Sequence, residues 1–167
     1  MSFLYWLSNL GMGAGGTITP TGPPTLREAV RARLAETTAL ASLVGSRISF
    51  NALPQKKDAG ATFPAVTFYL ASRSYDRNLG GPNGVSTASV RISCWSKSEL
   101  EAAAMAQIVR SRFDGFSGWM GAVDVMGAFL EDESDLPEYP RQGTDSYTYQ
   151  VVLTFNIVHR VTTPAYV

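Results

Sequence analysis

Residues 147–160 carry the clearest alternation in the chain: Tyr147, Tyr149, Val151, Leu153, Phe155 and Ile157 on one parity, Thr148, Gln150, Val152, Thr154 and Asn156 on the other. A period of two predicts a strand with one buried face, because successive side chains point to opposite sides. The same period predicts a strand over 65–75, where Val66, Phe68 and Leu70 oppose Thr67, Tyr69 and Ala71. It predicts another over 85–95, with Ala88, Val90, Ile92 and Cys94 against Ser89, Arg91, Ser93 and Trp95. Shorter strands are expected over 47–51 and 122–130.

Two stretches follow a helical period instead. Leu26, Val30 and Leu34 recur every fourth residue behind Thr25 and Glu28, which have the spacing of a capping box, while Arg27, Glu28 and Arg31 stay in water. A short helical piece with Leu40, Leu43 and Val44 ends at Gly45. The second main helix starts at Ser96-Lys-Ser-Glu-Leu-Glu101, where Ser96 with Glu99 and Ser98 with Glu101 offer overlapping capping boxes, and runs to about Phe113. Leu100, Ala104 and Ile108, with Met105 and Val109 beside them, form its expected buried stripe; Glu99, Ala103, Gln107 and Arg110 take the other side.

Loops are expected at 54–64, at the glycine-rich turn 77–84, at 114–121, and in the acidic, proline-punctuated segment 131–143. Helix, strands, helix, strands without βαβ alternation predicts an α+β fold, a mainly antiparallel sheet of four to five strands with two main helices packed on one face. Residues 25–162 make this domain, and 163–167 a short tail. Residues 1–24 read as a flexible Gly/Thr/Pro-rich arm. Its tip, Phe3, Leu4, Tyr5, Trp6 and Leu7, is either a frayed end or a segment that docks on a neighbouring subunit.

Composition narrows the function. Fourteen basic and fourteen acidic residues cancel, which argues against a general nucleic-acid binder and removes the repulsion that keeps copies apart. A single cysteine excludes an internal disulfide. The longest apolar run of the N-terminus, Phe3 to Leu7, is far short of the ~20 residues of a membrane span, and no basic segment precedes it as in a secretory signal. A soluble protein made in the cytoplasm, with no membrane partner, is expected.

Catalytic chemistry finds little support. Cys94 shares a parity with Val90 and Ile92, so it reads as a small buried hydrophobe. His159 is the only histidine and ends another strand, so the two could be neighbours, yet no orienting residue or oxyanion motif accompanies them. Glu131, Asp132, Glu133 and Asp135 lack the pattern of a calcium loop. Gly80 to Gly84 lacks the ending of a phosphate-binding loop, and one Cys with one His cannot close a zinc site without two carboxylates. Arg73, Arg77 and Arg91, with Tyr69, Tyr75 and Trp95, suggest a basic and aromatic surface for nucleic acid that the net charge does not support. No catalytic residue, cofactor or metal is expected. The remaining feature is a polar, weakly charged sheet face of Thr67, Tyr69, Ser89, Arg91, Ser93, Trp95, Thr148, Gln150 and Thr154, suited to meeting other copies of the chain.

The segments "LREAVRARLAETTALASLVGSRISFNALPQ", "FPAVTF", "VRISCWSKSELEAAAMAQIVRSRF" and "DSYTYQVVLTFNIVHR" together resemble the tail-completion or tail-terminator family of long-tailed phages and gene transfer particles. The likeness spans Leu26 to Arg160 and lies in the order of short motifs: a helix ending in Leu-Val-Gly-x-Arg-Ile, a proline before an apolar strand, and a tryptophan-bearing strand leading into an alanine-rich helix. The resemblance implies a structural virion protein forming a hexameric ring at the head-proximal end of the tail. Such a ring stops tube polymerisation, joins the tail to the head connector and lets DNA through its lumen without specific binding. Its implied partners are further copies of itself, the tail tube protein and the connector or neck protein. Another neck, connector or tube protein is the alternative, and a small cysteine-dependent enzyme using Cys94 and His159 a more distant one. Residues expected to touch partners are Phe3, Leu4, Tyr5, Trp6 and Leu7 in the arm, Arg77 and Asn78 in the 77–84 turn, and Glu131, Asp132, Glu133 and Asp135 in the acidic segment.

Overall fold

The structure is a computed structural model that describes residues 25–53, 55–56, 60–138 and 147–162. Helices α1 (Leu26–Ala35) and α2 (Thr38–Val44) lead into strands β1 (Ile48–Phe50), β2 (Gln55–Lys56), β3 (Gly60–Ala61), β4 (Ala65–Asn78) and β5 (Gly81–Ser96). Helix α3 (Glu99–Phe113) is followed by β6 (Gly118–Met120), β7 (Val123–Glu138) and β8 (Thr148–Arg160). The α+β class stands, with a larger sheet than expected: six strands in the order β1-β4-β5-β8-β7-β6, and a separate ribbon of β2 and β3 inside the segment expected to be loop. All neighbours in the large sheet are antiparallel except β1 and β4. The described residues hold three helices, the short piece after Thr37 being a helix in its own right.

The first helix starts as its sequence predicts. Thr25 accepts from the Glu28 backbone, and the Glu28 carboxylate accepts from the Thr25 N–H at 2.8 Å, a complete capping box. Leu26, Ala29, Val30 and Leu34 are buried. The overlapping boxes before α3 do not form. Ser98 caps by position without a side-chain bond, and the buried Ser96 hydroxyl bonds instead to the Glu101 carboxylate while accepting the Ser98 N–H at 3.1 Å.

The buried face of α3 also differs from the expected one. Met105 and Val109 are inside, but they are joined by Ala102, Ala106 and Phe113, whereas Leu100 is 83% exposed and Ala104 lies in water. A series spaced by four drifts by about 40° per step around a helix of 3.6 residues per turn. The mixed spacing of 102, 105, 106, 109 and 113 holds one side, and its two alanines let the helix axis approach the sheet.

Core side chains from the sheet come from the parity the sequence predicts. Row by row, Val66, Cys94 and Val151 stand side by side on β4, β5 and β8; Phe68, Ile92 and Leu153 make the next row; Leu70, Val90 and Phe155 the one after. Most of these are fully buried and pack with the helices in one continuous cluster. The opposite face of the sheet carries the polar parity.

Besides the 54–64 segment, three expected loops hold strand: 114–121 contains β6, and two others are strands throughout most of their length. Residues 77–84 are the end of a long hairpin, with Asn78 level with Gly81 and only Leu79 and Gly80 between the strands. The acidic run is the second half of β7, paired with β8 from Asp132↔Thr154 to Glu138↔Thr148. Alternation resolves the apparent conflict: Glu133 and Asp135 point to the helix side and Asp132 to the open side, as do their β8 partners Leu153, Val151 and Thr154. Exposed carboxylates on a strand that meets water are a common way to keep an open edge soluble.

Candidate interaction surfaces

The register separates the two residues a thiol enzyme would need together. Cys94 is level with Val151, while His159 is level with Ser86; from 151 to 159 is eight residues along β8, about 26 Å at strand spacing. Cys94 is fully buried, and burial, with a smaller push from Glu133, raises its pKa to about 12. His159 is 2% exposed, neither ring nitrogen has a hydrogen-bond partner among the described residues, and burial followed by the Arg73 charge lowers its pKa. These groups are not brought together, so the dyad considered above is not formed. Among the described residues no set of three or more His, Cys, Asp or Glu side chains converges to hold a metal. No described helix is long and apolar enough to cross a membrane.

The surfaces are more informative. On the open face, side chains tie neighbouring strands together. Trp95 donates its indole N–H to Thr67 Oγ1 at 2.9 Å, Arg91 donates to the Tyr69 hydroxyl at 3.3 Å, and Gln150 donates to Ser93 Oγ at 3.0 Å. Near its end Arg160 pairs with Asp124 at 3.1 Å. The guanidinium of Arg91 is thus engaged within the face, whereas Arg73, level with the buried Ala88, belongs to the other side of the sheet and Arg77 stands near the hairpin tip. The basic and aromatic residues do not merge into one stripe.

The β4–β5 hairpin stands out from the body. Every residue from Ala71 to Gly80 is exposed, and the tip residue Leu79 is fully so. Asn78 shapes the turn by accepting the Gly80 N–H at 2.9 Å. Arg77 and Asn78, expected to touch a partner, therefore sit at the tip of a projecting arm. The acidic residues expected to do the same run from the middle of the sheet, where Asp132 is level with Thr154, towards its other end. Since Val85 is level with Arg160 and Ser96 with Tyr149, the β4–β5 turn and the β7–β8 connection leave the sheet from opposite ends. Glu131, Asp132, Glu133 and Asp135 are all exposed, and only Glu133 makes an ion pair among the described residues, with Arg110 at 3.6 Å. Phe3, Leu4, Tyr5, Trp6 and Leu7 lie outside the described residues.

Some exposed apolar side chains were not predicted. Trp119, Phe129 and Leu136 are 71%, 56% and 49% exposed along β6 and β7. An irregularity between Val125 and Gly127 shifts the parity of β7, turning Phe129 to the open face, where its ring lies over Gly127. A methyl group on Gly127 would come within 2.7 Å of that ring. The strand-weakening glycine was the sequence signal for this break.

A profile of the family described as tail completion protein gp17 matches residues 28–160. The chain belongs to that family. Among solved structures, a chain from the virion of a native gene transfer agent particle has a TM-score of 0.62 and 19% identity, over 81% of this chain and 94% of that one. That likeness is one of fold. No curated protein matches the chain. As a tail completion protein it is a structural component of a tail, and its residues are best judged as contact surfaces rather than as reacting groups.

Proposed function

We propose that this tail completion protein forms a closed ring at the head-proximal end of a tail tube, ends polymerisation of the tube and joins it to the head connector. Family membership carries the reading, and the solved chain of similar fold comes from a virion. Two physical features support it. The hairpin arm and the acidic end of β7 reach out from opposite ends of one sheet, as a part with a different partner above and below requires. The chain has no net charge, so copies assemble without long-range repulsion. Subunits related by rotation close into a ring through a heterologous interface. The hairpin tip, around Asn78 and Leu79, or the segment 131–143 at its far end meets an axial partner. The arm at residues 1–24 latches onto an adjacent subunit or the tube. The ring's lumen lets DNA pass without gripping phosphates.

The test is to let the tail tube protein polymerise with and without this protein and to weigh the free protein by light scattering. A ring-sized particle that shortens tubes and decorates one end supports the reading. A monomer at high concentration, or a protein that itself extends into long tubes, refutes it. Deleting residues 1–24 should weaken tail joining and leave the domain folded.

A further inference from the structure

Two long stretches of strand edge have no backbone partner among the described residues. On one side of the sheet, β1 covers β4 only from Val66 to Phe68, and Asn51 adds one bond to the Phe68 carbonyl; residues 69–78 are open on that side. On the other side, β6 covers β7 only from Val123 to Val125. The chain just after α3 adds bonds at Ala128 and Leu130, the latter to the Asp114 carboxylate; residues 131–138 are open. An uncovered edge is a row of N–H and C=O groups ready to pair with another strand.

The two edges are complementary. The β4 stretch carries Arg73 and Arg77 against the single acid Asp76, and neither arginine makes an ion pair among the described residues. The β7 stretch carries Glu131, Asp132, Glu133, Asp135 and Glu138 with no basic residue. Direction agrees too. Because β4 is antiparallel to β5, β5 to β8 and β8 to β7, β4 and β7 run in opposite senses. A second copy placed in the same sense would therefore continue the antiparallel sheet.

We propose that residues 69–78 of β4 in one subunit pair with residues 131–138 of β7 in the next, so that the sheet runs on from copy to copy. This rests on the ring reading above and names the surface that closes it. Centring the two stretches on each other sets Arg73 opposite Asp135 and Arg77 opposite Glu131. Arg73, level with Ala88, and Asp135, level with Val151, both belong to the helix side, so the helices of successive copies fall on the same face.

The stagger is close to the size a closed sheet needs. Arg73 is level through Ala88 and Ile157 with Ala128, whereas Asp135, its partner in the next copy, is level with Val151. Six residues of β8 separate those two rows, about 20 Å along the strands, while four strands span about 19 Å across them. The two together tilt the strands by about 46° from the ring axis, at the upper edge of the ~35–45° found in closed barrels. An offset that would drive untilted strands into a spiral is thus absorbed by tilt. The sides of both arms pair subunit to subunit, and their tips stay free for axial partners.

The test uses the full chain with two double variants, Arg73→Glu/Arg77→Glu and Glu131→Arg/Asp135→Arg, each checked for native melting and circular dichroism. Each variant sets like charges opposite each other at both paired positions, 73 with 135 and 77 with 131, so each is expected to sediment as a monomer and to associate about tenfold or more weakly than the wild type. Mixed in equal amounts, they present complementary edges again and should recover the wild-type particle mass, a rescue that a misfolded protein cannot give. If either variant assembles like a wild type that is itself a ring, or if the mixture stays monomeric, the edge pairing is wrong and the ring stands on other contacts. A wild type that remains monomeric overturns the ring and the edge pairing together.

Discussion

The Arg33 guanidinium lies 3.4 Å from the centroid of the Phe116 ring and donates two hydrogen bonds, at 3.2 and 2.7 Å, to the carbonyl of Arg112. One side chain of α1 thereby satisfies a carbonyl at the end of α3, where the helix itself provides no partner. It also clamps the turn that carries the chain towards β6.

Arg33→Ala should therefore destabilise the domain by about 1–3 kcal/mol, from the lost hydrogen bonds to a charged donor together with the cation–π contact. Arg33→Lys keeps the charge but not the planar fork, and should restore less than half of the loss. Urea unfolding followed by circular dichroism measures both. Equal stability of Arg33→Ala and wild type would show that the clamp contributes nothing.

The face of α3 gives a second contrast. Phe113 is fully buried and packs 5.6 Å from the Phe155 ring, while Leu100 stands in water. Phe113→Ala should cost about 3–5 kcal/mol, and Leu100→Ala no more than about 0.5 kcal/mol. Measured under conditions where sedimentation shows the protein to be monomeric, so that subunit contacts do not contribute, a large loss for Leu100→Ala would put the buried stripe where the sequence pattern first placed it.

That contrast shows where sequence reading succeeds. The alternating strands were legible because a period of two leaves one answer: Val90, Ile92 and Cys94, and Val151, Leu153, Phe155 and Ile157, face inward as a set. The capping box at Thr25 and Glu28 was legible because both halves of the pair lie within one turn. The stripe of α3 was harder, since alanines score as weakly apolar and conceal which side lies against the sheet. The second half of β7 looked like loop because its charges outweighed its alternation, and only the β8 partner strand makes it a strand. The surfaces were legible only as residue types. That Arg73 and Asp135 lie on opposite edges of the same sheet depends on strand order, which no local pattern encodes.

Cys94 offers a probe of global opening. With its pKa raised to about 12, about one thiol in ten thousand is ionised at pH 8, and none is reachable without breaking the core. A thiol reagent should label the native protein only at the rate at which the domain unfolds, and at once in denaturant. Cys94→Ser should cost about 1–3 kcal/mol, because a hydroxyl then replaces the thiol among apolar neighbours. Prompt labelling under native conditions would show that the β4, β5 and β8 row is open.

His159 sets the pH dependence. Its folded pKa lies below the usual 6.5, because burial disfavours the imidazolium and Arg73 repels it. The unfolded chain therefore takes up this proton at a higher pH than the folded one, so stability rises with pH where the unfolded state holds more protons. The contribution is fully present above about pH 7 and is lost as pH falls through 6.5 towards the folded value, below which this group adds no further slope. The melting temperature should decline between pH 7.5 and 5, and His159→Leu should flatten that decline. The same variant removes two ring nitrogens that have no partner among the described residues, so it should match or exceed the wild type in stability at pH 5.5. Thermal melts of both proteins across this range decide the matter: an identical slope in the two would mean that the imidazole titrates freely and that its end of β8 is open to water.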